Sequence, residues 1–137
     1  MKTFVKSISI DTKNRRELVN ITSFVEQAVK ESGINNGIVL IFVLHATATI
    51  VVNEDEQGLK KDIINWIDEF LDKERKYYHN LIDNNADSHI AASFFGPSKV
   101  FPLVNGKLIK GTWQEIMLFE LDGPRNRRQV LIEVIGE

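Results

Sequence analysis

At 137 residues, 43% of them hydrophobic and 26% charged, the chain has room for one domain with a sizeable core but not for two. A net charge of −2 argues against a general nucleic-acid binder, whose footprint is a strong basic excess, while leaving room for a small basic pocket. The absence of cysteine removes disulfides, thiolate metal sites and cysteine nucleophiles together.

The N-terminal segment "MKTFVKSISIDTKNRRE" lacks the apolar core of a signal peptide. The longest apolar run, Ile38 to Leu44, is far too short to span a bilayer. A cytoplasmic protein with no membrane partner is expected. Phe4 to Ile10 largely alternates apolar and polar residues, the period of a half-buried strand. "DTKNRRE" reads as a turn, and "LVNI" as a short second strand. Ser23 followed by Glu26 has the spacing of a capping box, which predicts a helix start, and Gly33 supplies its left-handed stop. "IVLIFVL" is continuously apolar and β-branched, as expected of a strand buried on both faces. After His45, "ATATIVVN" continues as another strand.

From Glu56 to Leu71, the residues Leu59, Ile63, Trp66, Ile67 and Phe70 recur at helical spacing, with Lys60, Asp62, Asp68 and Glu69 on the opposite face. "DKERK" is a charged surface exit from that helix. A shorter helix is predicted from about Asn85 to Phe94, ended by Gly96-Pro97. Asn105-Gly106 marks a hairpin. "TWQEIMLFEL" and "RQVLIEVI" read as two closing strands, the first starting at Thr112 to Gln114. This order predicts one α+β domain, 1–137, with largely antiparallel sheets.

The chain's three histidines carry the chemical signal. His45 closes the apolar run at what would be a sheet rim, a position that also suits a core histidine satisfied by one backbone hydrogen bond. His79 and His89 bracket "YYHNLIDNNADSH", which holds two aspartates and three asparagines as well. Neutral imidazoles are common ligands of zinc and related ions, and catalytic zinc keeps one position open for water or substrate. Convergence of His45, His79 and His89 on one metal is therefore expected, with Asp83 and Asp87 as further ligands or as groups that orient the imidazoles. Asp83, Asn84 and Asn85 equally suit caps of the following helix. Glu54, at a strand exit, is the candidate general base, and Glu56 complements a helix dipole. Arg125, Arg127 and Arg128 in "GPRNRR" offer guanidinium forks for phosphate or carboxylate.

In order along the chain, "HATA" (45–48), "NE" (53–54), "HN" (79–80), "NNADSH" (84–89), "GPS" (96–98), "GTWQ" (111–114) and "DGPR" (122–125) resemble the YjbQ family, also called the secondary thiamine-phosphate synthase family. The likeness covers nearly the whole chain. It implies an α+β sandwich of antiparallel sheets flanked by helices, a homotrimer, and an activity joining a hydroxymethylpyrimidine diphosphate to a thiazole phosphate. On this resemblance His45, His79 and His89 fall on motif histidines. Glu54 and Asp87 become the catalytic candidates, and Thr47, Asn84, Thr112, Gln114 and Arg125 are expected to bind substrate. The family commonly has a threonine directly after the first histidine, where this chain has Ala46.

The expected function is thus that of a metal-assisted enzyme on a small phosphorylated substrate, with thiamine phosphate synthesis as the named candidate. The metal is zinc or another transition ion at the histidines, and Mg²⁺ suits a diphosphate substrate. A metal-dependent hydrolase and a non-catalytic metal- or ligand-binding module are the rival readings.

Overall fold

The computed structural model describes residues 1–137. In chain order its elements are β1 (Lys2–Ile10), β2 (Glu17–Asn20), α1 (Thr22–Ser32), β3 (Gly37–Val43), β4 (Ala48–Asn53), α2 (Gln57–Phe70), a 3₁₀ turn (Tyr78–Leu81), α3 (Ala86–Phe95), β5 (Ser98–Val104), β6 (Lys107–Leu108), β7 (Glu115–Glu120) and β8 (Arg128–Gly136). Every strand pairing is antiparallel. A five-stranded sheet runs β1-β8-β3-β5-β6 and a three-stranded sheet runs β2-β7-β4. This is the expected α+β class. No helix is long and apolar enough to cross a membrane.

The three-stranded sheet forms the middle layer. One of its faces places Ile50, Ile116 and Leu118 against Val39, Ile41, Val130 and Ile132 of the larger sheet, with α1 contributing Val25, Ala28 and Val29. Its other face meets the helices, where Met117, Phe119 and Leu121 pack on Ile67 of α2 and Ala91 of α3. β7 is the central strand of that middle layer, so Ile116 to Phe119 are all fully buried. The strand buried on both faces is therefore β7 and not β3. β3 alternates: Val39, Ile41 and Val43 point into the core, while Ile38 is 45% and Phe42 36% exposed. A continuous apolar run reports two apolar faces, and does not say what covers the second.

Two local expectations are also corrected. α1 starts at Thr22 without any side-chain cap, so Ser23 and Glu26 form no capping box. Asn20 Oδ1 instead accepts the Thr22 N–H, and the Thr22 hydroxyl accepts the Ile116 N–H, which ties the helix start to β7. Residues 111–114 form a turn, and β7 begins only at Glu115. Gly33 does end α1 in the left-handed conformation, with φ 67°. Asn105 and Gly106 both have positive φ (51° and 74°), which makes the β5–β6 hairpin the expected tight turn.

Candidate functional site

β3 runs out of its partner strand at Val43, and the chain leaves the sheet at Leu44, whose N–H still donates to Gln129 O. The next side chain, His45, turns back so that Nε2 accepts the Gln129 N–H at 2.8 Å. In the neutral ring that bond fixes the proton on Nδ1, so His45 presents a donor. Its pKa lies below the ordinary histidine value. Burial is the first cause and the nearby Arg128 and Arg125 charges add to it, against the opposing effect of Glu120.

His79 has the opposite polarity. Asn85, at the start of α3, donates through Nδ2 to Asp122 Oδ2 at 2.7 Å, which leaves its Oδ1 as the acceptor facing His79 Nε2 at 3.1 Å. Nε2 of His79 therefore carries hydrogen, and Nδ1 of the neutral ring keeps its lone pair. Asp122 Oδ2 also receives Arg125 Nη2 at 2.9 Å, so one chain of contacts runs Arg125–Asp122–Asn85–His79. His89, one turn into α3, meets the His79 ring edge-on with centroids 4.6 Å apart. His45 and His89 then share a groove of about 230 Å³ with Ala46, Ala92 and Ser93. The three histidines are thus gathered at one end of the molecule. No group of three or more His, Asp or Glu side chains is arranged to hold a metal, and the Nε2 lone pair of His45 is committed to Gln129.

Two buried ion-pair networks hold this end in place. Glu120, fully buried at the end of β7, bonds Arg128 Nε at 2.9 Å and the Thr12 hydroxyl at 2.7 Å. Arg128 Nη2 continues to Thr47 Oγ1 at 2.9 Å, so Thr47 faces inward and supports the His45 loop. Asp87 is likewise buried, and both its oxygens are taken by Arg15 and Arg16 at 2.6–3.1 Å. Burial alone would raise the Asp87 carboxyl, but the Arg15 bond and the charges of Arg15 and Arg16 outweigh it and hold it below the usual carboxylate range. Glu120 is lowered in the same way, burial being overcome by Arg128 and Thr12. Paired in this fashion, Asp87 anchors α3 to the β1–β2 loop.

Glu54, Thr112 and Gln114 lie elsewhere. His45 precedes the first residue of β4 and Glu54 follows its last, so the strand separates them by roughly 17 Å or more. Register places Asn53 opposite Glu115 and Ala48 opposite Glu120, so Gln114 shares the Glu54 end. There Gln114 Oε1 accepts the Gly111 N–H at 2.7 Å, closing a turn from which Trp113 projects 70% exposed. Asn84 is exposed, and its N–H bonds Asp83 Oδ1.

Asn85, Asp122, Glu120, Arg15 and Arg16 are the residues that sequence reasoning missed. Asn85 and Asp122 lie within the "NNADSH" and "DGPR" motifs, so a signal existed, but nothing local distinguished Asn85 from Asn84. Asn85 takes no cap bond at α3; Asn80 Oδ1 receives the Ala86 N–H instead.

The protein family described as UPF0047 protein YjbQ-like matches residues 6–137. A UPF0047 protein of Methanothermobacter thermautotrophicus is 42% identical over 137 residues, 100% of this chain and 95% of the relative. The UPF0047 protein YugU of Bacillus subtilis is 39% identical over 124 residues, covering 90% and 93%. Among solved structures, a YbjQ-like protein of unknown function from Sulfolobus solfataricus P2 superposes with a TM-score of 0.98 at 52% identity over 99% of each chain. A protein from Aeropyrum pernix K1 gives 0.93 at 38% identity over 100% of each.

Proposed function

The chain belongs to the UPF0047 family of YjbQ-like proteins, and from that premise and the histidine cluster we propose a metal-assisted enzyme acting on a small phosphorylated substrate in the cytoplasm. The observation that carries this reading is the grouping of His45 and His89 on one groove with His79, opposite to His45 in polarity, set edge-on against His89. A neutral Nδ1–H donor and an imidazole lone pair are complementary groups for a proton transfer or for polarising a phosphate. Arg125, fixed by Asp122 yet half exposed, is the fork for the phosphate.

His79 Nδ1 and His89 are the imidazoles with free lone pairs, and zinc or another transition ion is the metal that suits them. His45 joins them as a third ligand only by releasing the Gln129 N–H. When bound, such an ion supplies Lewis-acid stabilisation of developing charge. Mg²⁺ would accompany a diphosphate substrate rather than the imidazoles. Thiamine phosphate synthesis is the candidate reaction. Metal-dependent hydrolysis is its rival, favoured by the open groove, and a non-catalytic binding module is the third reading.

We further propose that the protein acts as a homotrimer. Ile38 and Phe42 of β3, Val100 and Val104 of β5 and Val5 of β1 expose one apolar face of the five-stranded sheet, which a second copy would cover.

Metal analysis of the purified protein tests the site. Near-stoichiometric transition metal is expected, lost in His79→Ala and His89→Ala while each variant keeps its far-ultraviolet spectrum. Metal-free wild type that gains none on titration would leave acid–base roles alone for the histidines. Product analysis with a phosphorylated substrate alone, and with a second organic substrate, separates hydrolysis from transfer.

A further inference from the structure

A cavity of about 560 Å³ that no histidine lines lies between α2, the Asn53 end of β4 and the junction of α3 with β5. Val52, Ile63, Trp66 and Phe95 form its walls. An adjoining cavity of about 270 Å³, lined only by hydrophobic side chains, shares Trp66 and Phe95 with it. The cleft exists because α2 stands off the sheet: of its apolar face only Ile67 is fully covered. Trp66 is held by a parallel stack on Phe70, with centroids 5.0 Å apart and planes 8° from parallel.

One cation faces this apolar space. Lys99 pairs with Ile41 in the β3–β5 register, so it occupies a core-facing position of the sheet. Its ammonium donates to Phe95 O at 3.1 Å and Ser98 O at 3.3 Å and forms no ion pair with any carboxylate. An ammonium has three donors, so one N–H and the net charge stay unmatched. Such a charge in a half-buried apolar setting is costly unless an anion compensates it. Burial also draws the Lys99 pKa below the ordinary lysine value, a cost that a bound anion would relieve. Asp62, exposed on the rim, opposes a second negative charge on the ligand.

We propose that this cleft binds a small monocarboxylate with an extended apolar body, its carboxylate on the Lys99 ammonium and its chain passing Trp66 into the adjoining cavity. A neutral apolar ligand would leave Lys99 uncompensated. A phosphate ester or diphosphate would bring a second charge against Asp62, so the phosphorylated substrate of the histidine site does not suit this cleft.

The test titrates decanoate and decanamide, both below their aggregation concentrations, into the full chain carrying Trp113→Phe, so that Trp66 is the fluorescent tryptophan. Decanoate should change the Trp66 emission saturably and bind roughly ten- to hundredfold more tightly than the amide, the range for a charge-assisted hydrogen bond. Lys99→Met should bring the acid down to the level of the amide, and His89→Ala should leave both titrations unchanged, which separates this site from the histidine site. Equal affinities for acid and amide in the Lys99 protein would overturn the proposal, whether or not Lys99→Met folds. So would an emission that responds to dilution of the protein and not to decanoate, because a second copy would then occupy the cleft.

Discussion

His45 and His79 share a side chain and differ in everything that decides its chemistry. A backbone N–H takes the lone pair of one, and a carboxamide oxygen held by Asp122 takes the proton of the other. The same residue-scale forces set the response to pH. His45 has a folded-state pKa below its unfolded value of about 6.5, so its contribution to stability is fully present above that pH and is lost as the pH falls through the folded value. Asp87 and Glu120 are also depressed, so theirs is present above an unfolded value of about 4 and disappears on further acidification. Thermal melts from pH 7 to pH 3 should therefore show two windows of falling Tm, and His45→Gln should remove the first and keep the second. The buried Arg128–Glu120 pair predicts a larger effect. Arg128→Met strands a buried carboxylate and should cost about 3–5 kcal/mol in denaturant unfolding, whereas adding Glu120→Leu should restore part of the loss.

At the scale of the element, a helix start depends on what the backbone N–H groups find in space. Glu56 caps α2, its carboxylate accepting the Gly58 and Leu59 N–H groups, the latter at 2.9 Å. Glu56→Ala should accordingly destabilise the fold by about 1 kcal/mol. Ser23, the cap suggested by its spacing to Glu26, bonds nothing at α1, so Ser23→Ala should fall within about 0.5 kcal/mol of wild type by chemical denaturation. Elsewhere the element is set by close approach. A Cβ on Gly37 would lie 1.9 Å from Ile135 O, so the first residue of β3 must be glycine for β8 to pair with it.

For the whole molecule, the β4–β7 ladder divides the polar motifs between two ends. His45, His79, His89, Asn85, Asp122 and Arg125 occupy one, and Glu54, Thr112 and Gln114 the other. Within one copy these sets cannot act on the same atom. The apolar outer face of the five-stranded sheet is where copies are proposed to meet. Phe42→Glu should convert a homotrimer into a monomer that still melts cooperatively, as read by sedimentation velocity. Wild type that sediments as a monomer would remove the assembly from the reading.

The sequence by itself determined the order and type of the elements, because hydrophobic period, the Gly33 stop and the Asn105-Gly106 turn act over a few neighbouring residues. It also determined the family, through short motifs kept in order along the chain. Only the tertiary structure decided which apolar strand is buried twice, since the faces of β3 and β7 differ in what packs on them and not in their composition. It also decided that Asn85 rather than Asn84 orients His79, and that Asp87 is consumed by Arg15 and Arg16. Those outcomes depend on residues far away in sequence: Asp122, brought in by β7, and the arginines ahead of β2. A local pattern carries information about local geometry, whereas the polarity of a histidine or the freedom of a carboxylate belongs to whichever distant group the fold places beside it.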